Sequence, residues 1–268
     1  MRLDVTVLVE NKVDRLPYGA IGKHGLSILL ETEDGFKILY DTGPQWEALV
    51  HNALLLGKSL KDIDAIVVSH GHHDHGNDLI PILDYIGRDG IPIFIHPLAF
   101  NRKADIKMNS DEKDLLDMKV DLRLSYTPLL VYKGIWFSGS VPRRDGNPVH
   151  PVRNDKGEVI DEVLDDTSLY ILGEKGIIIL TGCGHSGVIN IIEHAKEVLG
   201  VDRVYAIIGG FHGIGQPKGY LERTVSFLAS EEAEILGPCH CSGPLVHSLS
   251  QFPGFIDVRV GTSISFEL

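Results

Sequence analysis

The amino-acid sequence predicts an α/β fold in which two mixed β-sheets pack together with helices on their outer faces. Short runs rich in Val, Ile and Leu alternate with amphipathic segments along most of the 268 residues. A hairpin precedes a strand–helix–strand pattern in the first half, and the last hundred residues repeat the alternation. Strands flanked by helices in this way are buried on both faces. We therefore predict one domain with the four layers of an αβ/βα sandwich.

The first half of the chain contains five predicted strands and two predicted helices. An EDG turn signal joins the second and third strands as a hairpin, and Gly57 ends the first helix. In chain order the strands are 3–10, 26–32, 37–41, 64–69 and 91–96, and the helices are 45–57 and 77–87. Residues 97–125 are rich in charge and poor in β-branched side chains, so we interpret them as a partly helical insertion.

The second half begins near residues 125–130, where two similar halves are expected to meet. A polar stretch at 141–159 is too long for an ordinary connection, and such loops are often functional. Strands and helices then alternate. The strands are 127–138 in short pieces, 167–173, 176–182, 204–210, 233–238 and 255–261, and the helices are 187–200, 219–230 and 244–252.

Composition and charge exclude several classes of protein. The net charge of −12 disfavours binding to nucleic acid or to an anionic membrane surface. We find no secretory signal and no run of eighteen apolar residues. Three cysteines do not make a disulfide framework. These features predict a cytoplasmic protein.

The segment VVSHGHHDHG at 67–76 carries the strongest functional signal. Its pattern H-x-H-x-D-H begins as a buried strand ends and runs into a helix, so its side chains can converge. Imidazole and carboxylate are suitable ligands for zinc, and iron or manganese would also fit. The ligand candidates are His70, His72, Asp74 and His75. The alternative is a polar turn that happens to be rich in histidine.

This segment resembles the signature of the metallo-β-lactamase superfamily. The ordered segments HGLSILLET, ILYDTG, SHGHHDHG, TGCGHSG, GGFH and PCHCSG further resemble one branch. That branch includes the synthase that joins a dihydropterin to a ribofuranosyl-aminobenzene phosphate. The resemblance implies the sandwich fold and a site for one or two divalent ions at one edge of the two sheets.

The resemblance also implies which residues hold the ions. His70, His72 and His185 would serve the first metal, and Asp74, His75 and His240 the second. Many members have a bridging aspartate where this chain has His212, which leaves ligand, substrate contact and proton donor as open roles for that histidine. Asp41 matches a position that orients a ligand, and a carboxylate can hold an imidazole N–H in this way.

Such a site supports hydrolysis by a metal-bound hydroxide, with Asp74 as proton acceptor and His212 or His240 as proton donor. A small, phosphorylated anion is the expected substrate, with Arg143, Arg144 and His24 as candidate contacts. Arg153 in the same loop and Arg102, Lys103 and Lys107 in the insertion are further basic candidates.

Three alternatives to a hydrolase remain. A transferase of the pterin branch would use the same metals with an arylamine as nucleophile instead of water. A non-catalytic metal-binding protein would bind the ions without turnover. A di-iron oxidoreductase is disfavoured, because it typically has Glu where this chain has His72. The sequence does not define the oligomeric state.

Overall fold

The structure is a computed structural model that describes residues 1–14, 18–101, 106–146, 148, 151–154 and 157–268, with the backbone alone for 151–154 and 157–160. Its described residues form two compact units. The first contains the chain up to Ser125 together with Val258–Glu267, and the second contains Tyr126–Asp257 and Leu268.

The described residues contain fifteen strands. They are β1 Arg2–Val9, β2 Ser27–Thr32, β3 Lys37–Tyr40, β4 Ala65–Val67, β5 Pro92–Ile95, β6 Asp121–Leu124, β7 Leu129–Tyr132, β8 Ile135–Phe137, β9 Pro151–Asn154, β10 Gly157–Ile160, β11 Ser168–Gly173, β12 Gly176–Thr181, β13 Val204–Gly210, β14 Ile235–Cys239 and β15 Ser263–Glu267.

The first unit is built on a seven-stranded mixed sheet with the order β15-β1-β2-β3-β4-β5-β6. Pairing is antiparallel from β15 to β3 and parallel from β3 to β6. The central strands are almost wholly buried, as expected for a sheet covered on both faces. Parallel pairing brings the carboxyl ends of β3, β4 and β5 to one edge, and the H-x-H-x-D-H segment follows β4 at that edge.

Four helices accompany this sheet: α1 Trp46–Leu55, α2 His73–Gly76, α3 Leu79–Ile86 and α4 Glu112–Asp117. Helix α3 buries Leu79, Ile82, Leu83 and Ile86, which recur at helical spacing, in the same apolar cluster as Ile66 of β4. This packing fixes the direction in which the chain leaves the histidine-rich turn.

The second unit is built on a six-stranded mixed sheet with the order β14-β13-β12-β11-β8-β7. Strands β12, β13 and β14 are parallel neighbours. They are linked by α5 Val188–Leu199 and α6 Lys218–Ser230, and α7 Pro244–Leu249 follows β14. The polar stretch 141–159 contains β9 and most of β10, which pair with each other as a separate two-stranded antiparallel sheet.

One sequence prediction in this region is wrong. Residues 255–261 were expected as a strand, but only Phe255 forms an isolated bridge, to Leu236, and the last strand is β15. Val258 and Val260 are buried, which accounts for the alternating pattern that suggested a strand. Pairing with β1 instead begins at Ser263. No helix of the described part of the chain is long and apolar enough to cross a membrane.

Candidate metal centre

The histidine-rich turn of the first unit is tightly packed at Gly71. A Cβ atom built on this glycine would lie 1.9 Å from the backbone oxygen of Ala99, so no side chain fits there. The Gly71 carbonyl accepts a hydrogen bond from the backbone N–H of Met108 at 2.9 Å, and the His73 N–H donates to the Ile106 carbonyl at 2.8 Å. The segment 106–108, which lies within the interpreted insertion, therefore holds the backbone of the turn.

The imidazoles of His70 and His72 converge. Their Nε2 and Nδ1 atoms lie 3.0 Å apart, and both residues are buried. Two nitrogen ligands of a tetrahedral zinc ion are about 3.3 Å apart when each bond is about 2.0 Å. The pair therefore has the spacing and the donor chemistry that a divalent metal requires.

Asp41 organises the turn from the end of β3. Its carboxylate accepts hydrogen bonds from the Ser69 N–H, the Ser69 hydroxyl and Nδ1 of His75, each at 2.7 Å. Asp41 and His75 are fully buried. Because Nδ1 of His75 donates to Asp41, the Nε2 atom carries the lone pair that could bind a metal.

The same network sets the tautomer of His70. The Ser69 hydroxyl has one proton, which it donates to the acceptor-only carboxylate of Asp41. It must therefore accept from Nδ1 of His70, which lies 2.9 Å away. This leaves Nε2 of His70, the atom facing His72, as a lone-pair donor.

Asp74 lies beside two histidines of the same unit. Its Oδ2 is 3.8 Å from Nε2 of His75 and 3.5 Å from Nε2 of His24. Asp74 is buried, whereas the His24 side chain is 61% exposed. His24 can therefore approach both the Asp74 carboxylate and the solvent.

The second unit places three predicted histidines at the ends of parallel neighbouring strands. His185 follows β12, His212 follows β13 and His240 follows β14, and all three are buried. His212 and His240 have positive φ angles of 41° and 51°, a conformation that non-glycine residues seldom adopt. Ring centroids of His185 and His212 lie 4.1 Å apart.

Two cysteines join this group. The ligand atoms of Cys183, His212 and Cys241 all lie within 4.8 Å of one another. The Cys241 thiol donates to the Cys183 carbonyl at 3.2 Å. Burial alone would raise the pKa of the Cys241 thiol, but hydrogen bonds with Cys183 and His212 and the nearby His240 hold that pKa well below its usual value.

All three cysteines are buried. The sequence alone does not reveal that Cys183 and Cys241 lie beside His212. The available signal was the pair of segments TGCGH and CHC, each at the end of a predicted strand.

The predicted basic contacts have partners within the second unit. Arg143 donates to the backbone carbonyls of Glu162, at 2.6 Å, and of Val163. Arg144 forms an ion pair with Glu197 on α5. Arg102 and Lys103 lie outside the described residues, as does the side chain of Arg153.

Comparison with known proteins identifies the class. The family described as "Metallo-beta-lactamase superfamily" matches residues 21–199, which is more than half of the chain. The segment includes the H-x-H-x-D-H turn and His185. The chain belongs to the metallo-β-lactamase superfamily, and the predicted fold class is confirmed.

Two relatives come from Methanocaldococcus jannaschii. One is the 7,8-dihydropterin-6-methyl-4-(beta-D-ribofuranosyl)-aminobenzene-5'-phosphate synthase, 31% identical over 82% of this chain and 81% of its own length. This match confirms the resemblance to that branch. The other is an uncharacterized protein, 32% identical over 97% of this chain and 99% of its own length.

A solved structure supports the same fold. It is a metal-dependent hydrolase of the beta-lactamase superfamily and superposes with a TM-score of 0.81. The alignment covers 98% of both chains at 22% identity. At that identity the likeness extends to the fold and not to the reaction.

Proposed function

We propose that this protein is a metal-dependent enzyme that hydrolyses a small, phosphorylated, anionic substrate. Family membership and the convergent imidazoles of His70 and His72 support the proposal. We propose His70, His72 and His185 as ligands of one divalent ion, and Asp74, His75 and His240 as ligands of a second. Zinc suits these ligands best, and iron or manganese would also suit them.

The single observation that carries the proposal is the 3.0 Å approach of Nε2 of His70 to Nδ1 of His72. The contact is short enough for a hydrogen bond from Nδ1–H of His72, and a divalent ion that replaced this proton would bind a lone pair from each ring. The Asp41–Ser69 network places the proton of His70 on the far nitrogen. A divalent ion held there would polarise a substrate oxygen and lower the pKa of a bound water.

The residues of the chain have distinct proposed roles around such an ion. Asp41 and Ser69 fix the ring orientations of His75 and His70. The Asp74 carboxylate is placed to accept a proton from the attacking water. His212, at the end of β13, is a candidate proton donor to the leaving group.

Substrate recognition is proposed to involve His24, Arg143 and Arg144. The His24 ring is exposed, and its Nε2 atom lies 3.5 Å from Oδ2 of Asp74. The two arginines already bond to Glu162, Val163 and Glu197, so a substrate phosphate would have to compete with those acceptors. We therefore expect His24 to contribute more to substrate binding than either arginine.

A transferase is the second candidate, and one observation favours it. The M. jannaschii relative that is 31% identical to this chain is a synthase whose product carries a dihydropterin and a ribofuranosyl-aminobenzene phosphate. On this reading the same residues would hold a diphosphate leaving group while an arylamine replaced water as nucleophile.

One assay separates these readings. Purified protein with added zinc, manganese or iron is incubated with a dihydropterin diphosphate, with and without ribofuranosyl-aminobenzene phosphate, and in parallel with simple phosphomonoesters and phosphodiesters. A hydrolase releases phosphate or diphosphate without the amine, whereas a synthase releases diphosphate only when the amine is present.

His72→Ala and His51→Ala provide the matched comparison. His51 is an exposed histidine on α1, so its replacement should leave the rate unchanged. We expect His72→Ala to reduce the metal-dependent rate by at least about 100-fold, because a ligand is lost. Metal binding without turnover of any of these substrates would instead favour a non-catalytic metal-binding protein.

A further inference from the structure

Three potential metal ligands of different chemistry meet within the second unit. Cys183 follows β12, His212 follows β13 and Cys241 follows β14, so each ligand comes from the end of a different parallel strand. Their ligand atoms lie within 4.8 Å of one another, and all three residues are at most 6% exposed. The three residues therefore lie directly beyond the ends of three hydrogen-bonded strands.

Glycines next to the three ligands allow their side chains to come close together. A Cβ atom on Gly210 would lie 2.7 Å from Sγ of Cys241 and 2.9 Å from Cα of Cys183. Gly184 has a φ of 71°, and a Cβ atom there would lie 2.7 Å from the Gly210 carbonyl oxygen. Both contacts are closer than a side chain tolerates. The two glycines therefore keep open the space in which the cysteines face each other.

The His212 backbone supports the same interpretation. Its φ of 41° lies in the left-handed region, where a non-glycine residue is strained. The preceding residue is held by a hydrogen bond of 3.0 Å from the Phe211 N–H to the Ser242 hydroxyl. The chain thus turns sharply after β13 and directs an imidazole toward two thiols.

We propose that Cys183, His212 and Cys241 form a cysteine-containing metal site that binds one thiophilic divalent ion of the zinc class. None of its three residues belongs to the six ligands of the proposed function. The site takes His212 as a ligand, one of the three roles open to that residue, in place of its role as proton donor. Cys2His is a donor set that zinc uses in proteins, and it leaves a fourth position for water or a substrate atom.

The geometry is compatible with such an ion after small side-chain rotations. Sulfur ligands of a tetrahedral zinc ion lie about 3.7 Å apart when each zinc–sulfur bond is about 2.3 Å. The upper limit of 4.8 Å therefore requires a closure of about 1 Å at most. Binding would release the thiol protons, because the thiolate is the ligand form.

The competing interpretation is that the cysteines are only small buried residues that fill space next to Gly210. The third cysteine, Cys239, offers a matched control. It is 1% exposed and lies two residues from Cys241, but it is not part of the three-residue set. A metal site predicts different effects for Cys239 and Cys241, whereas simple packing predicts similar ones.

The first experiment is a cobalt titration of the full chain after treatment with a chelator. Sulfur-to-cobalt charge transfer gives near-ultraviolet absorption that imidazole and carboxylate ligands do not give. We expect this absorption in the unmodified chain and in Cys239→Ser. We expect at least about half of it to be lost in Cys183→Ser and in Cys241→Ser. Absence of the absorption from the unmodified chain, or equal intensity in Cys241→Ser and Cys239→Ser, would overturn the proposal.

Two further measurements make the result decisive. His72→Ala should keep the sulfur–cobalt absorption while losing the metal-dependent rate, so failure of this site and failure of the proposed function give different results. X-ray absorption at the zinc edge on the unmodified, zinc-loaded chain should show sulfur at about 2.3 Å. This measurement needs no variant to fold, and a zinc shell of nitrogen and oxygen alone would contradict the proposal.

Discussion

Nδ1 of His75 lies 2.7 Å from Oδ2 of Asp41, and neither residue is exposed to solvent. Asp41 stands at the end of β3 and His75 lies in α2, so the contact connects two elements 34 residues apart. The same carboxylate also receives both donors of Ser69. The Asp41 side chain therefore fixes the ring of His75 directly, and it fixes the ring of His70 through the Ser69 hydroxyl.

Asp41→Asn should weaken metal binding by about 10- to 100-fold, because loss of a carboxylate behind a ligating imidazole typically has that effect. Asparagine tolerates the positive φ of 59° found at this position, so the backbone should keep its conformation. Competition with a coloured chelator measures the affinity, and Asp117→Asn, an exposed site on α4, is the control. Equal metal affinities in the two variants would show that Asp41 does not support metal binding.

Gly71→Ala should destabilise the fold by about 1–3 kcal/mol, because its Cβ atom would collide with a backbone oxygen that cannot rotate away. Gly219→Ala is the matched comparison, since that helical glycine has open space around it. Alanine there should be neutral or stabilising by up to about 1 kcal/mol. Urea unfolding of both variants checks the pair, and equal stabilities would contradict the tight packing of the turn.

Asp78 should make the stability fall as pH rises. Burial, helped by the negative charge of Glu47, raises the pKa of its carboxyl from 3.8 to about 7. Between these values the folded chain binds more protons than the unfolded chain, so the free energy of unfolding declines from about pH 4 to about pH 7.

Asp78→Asn should remove this decline and raise the free energy of unfolding at pH 8 by about 1–2 kcal/mol, a value reduced to allow for partial solvent screening. Asp84→Asn, at an exposed position of the same helix, should leave the pH dependence unchanged. Urea unfolding at pH 5 and pH 8 measures both. A persistent decline in Asp78→Asn would assign the pH dependence to other groups.

The first sheet and its histidine-rich turn follow from local sequence. The apolar runs before Asp41 and His70 each end at a polar residue, and parallel pairing brings such strand ends together. Spacing within H-x-H-x-D-H is set by six residues of one turn, which places the four candidate side chains near one another, while contacts with Asp41 and with residues 106–108 fix their orientation. The contact of Asp41 with the turn was expected from the family resemblance and not from the local pattern.

The remaining features depend on pairing that the sequence pattern does not reveal. Strand β15 was missed because Ser263–Glu267 is short and its pairing partner, β1, lies at the other end of the chain. Strand β6 lies within a charged segment and pairs only along one side, with β5. The approach of Cys183 to Cys241 joins residues 58 positions apart and depends on the register of β12, β13 and β14.

The most direct test of the metal centre is the metal content of protein purified without added metal, measured for the unmodified chain, His72→Ala and His51→Ala. We expect His72→Ala to contain about one ion per chain fewer than the unmodified protein and His51→Ala to contain the same amount. Equal metal content in all three would contradict the assignment of His70 and His72 as metal ligands.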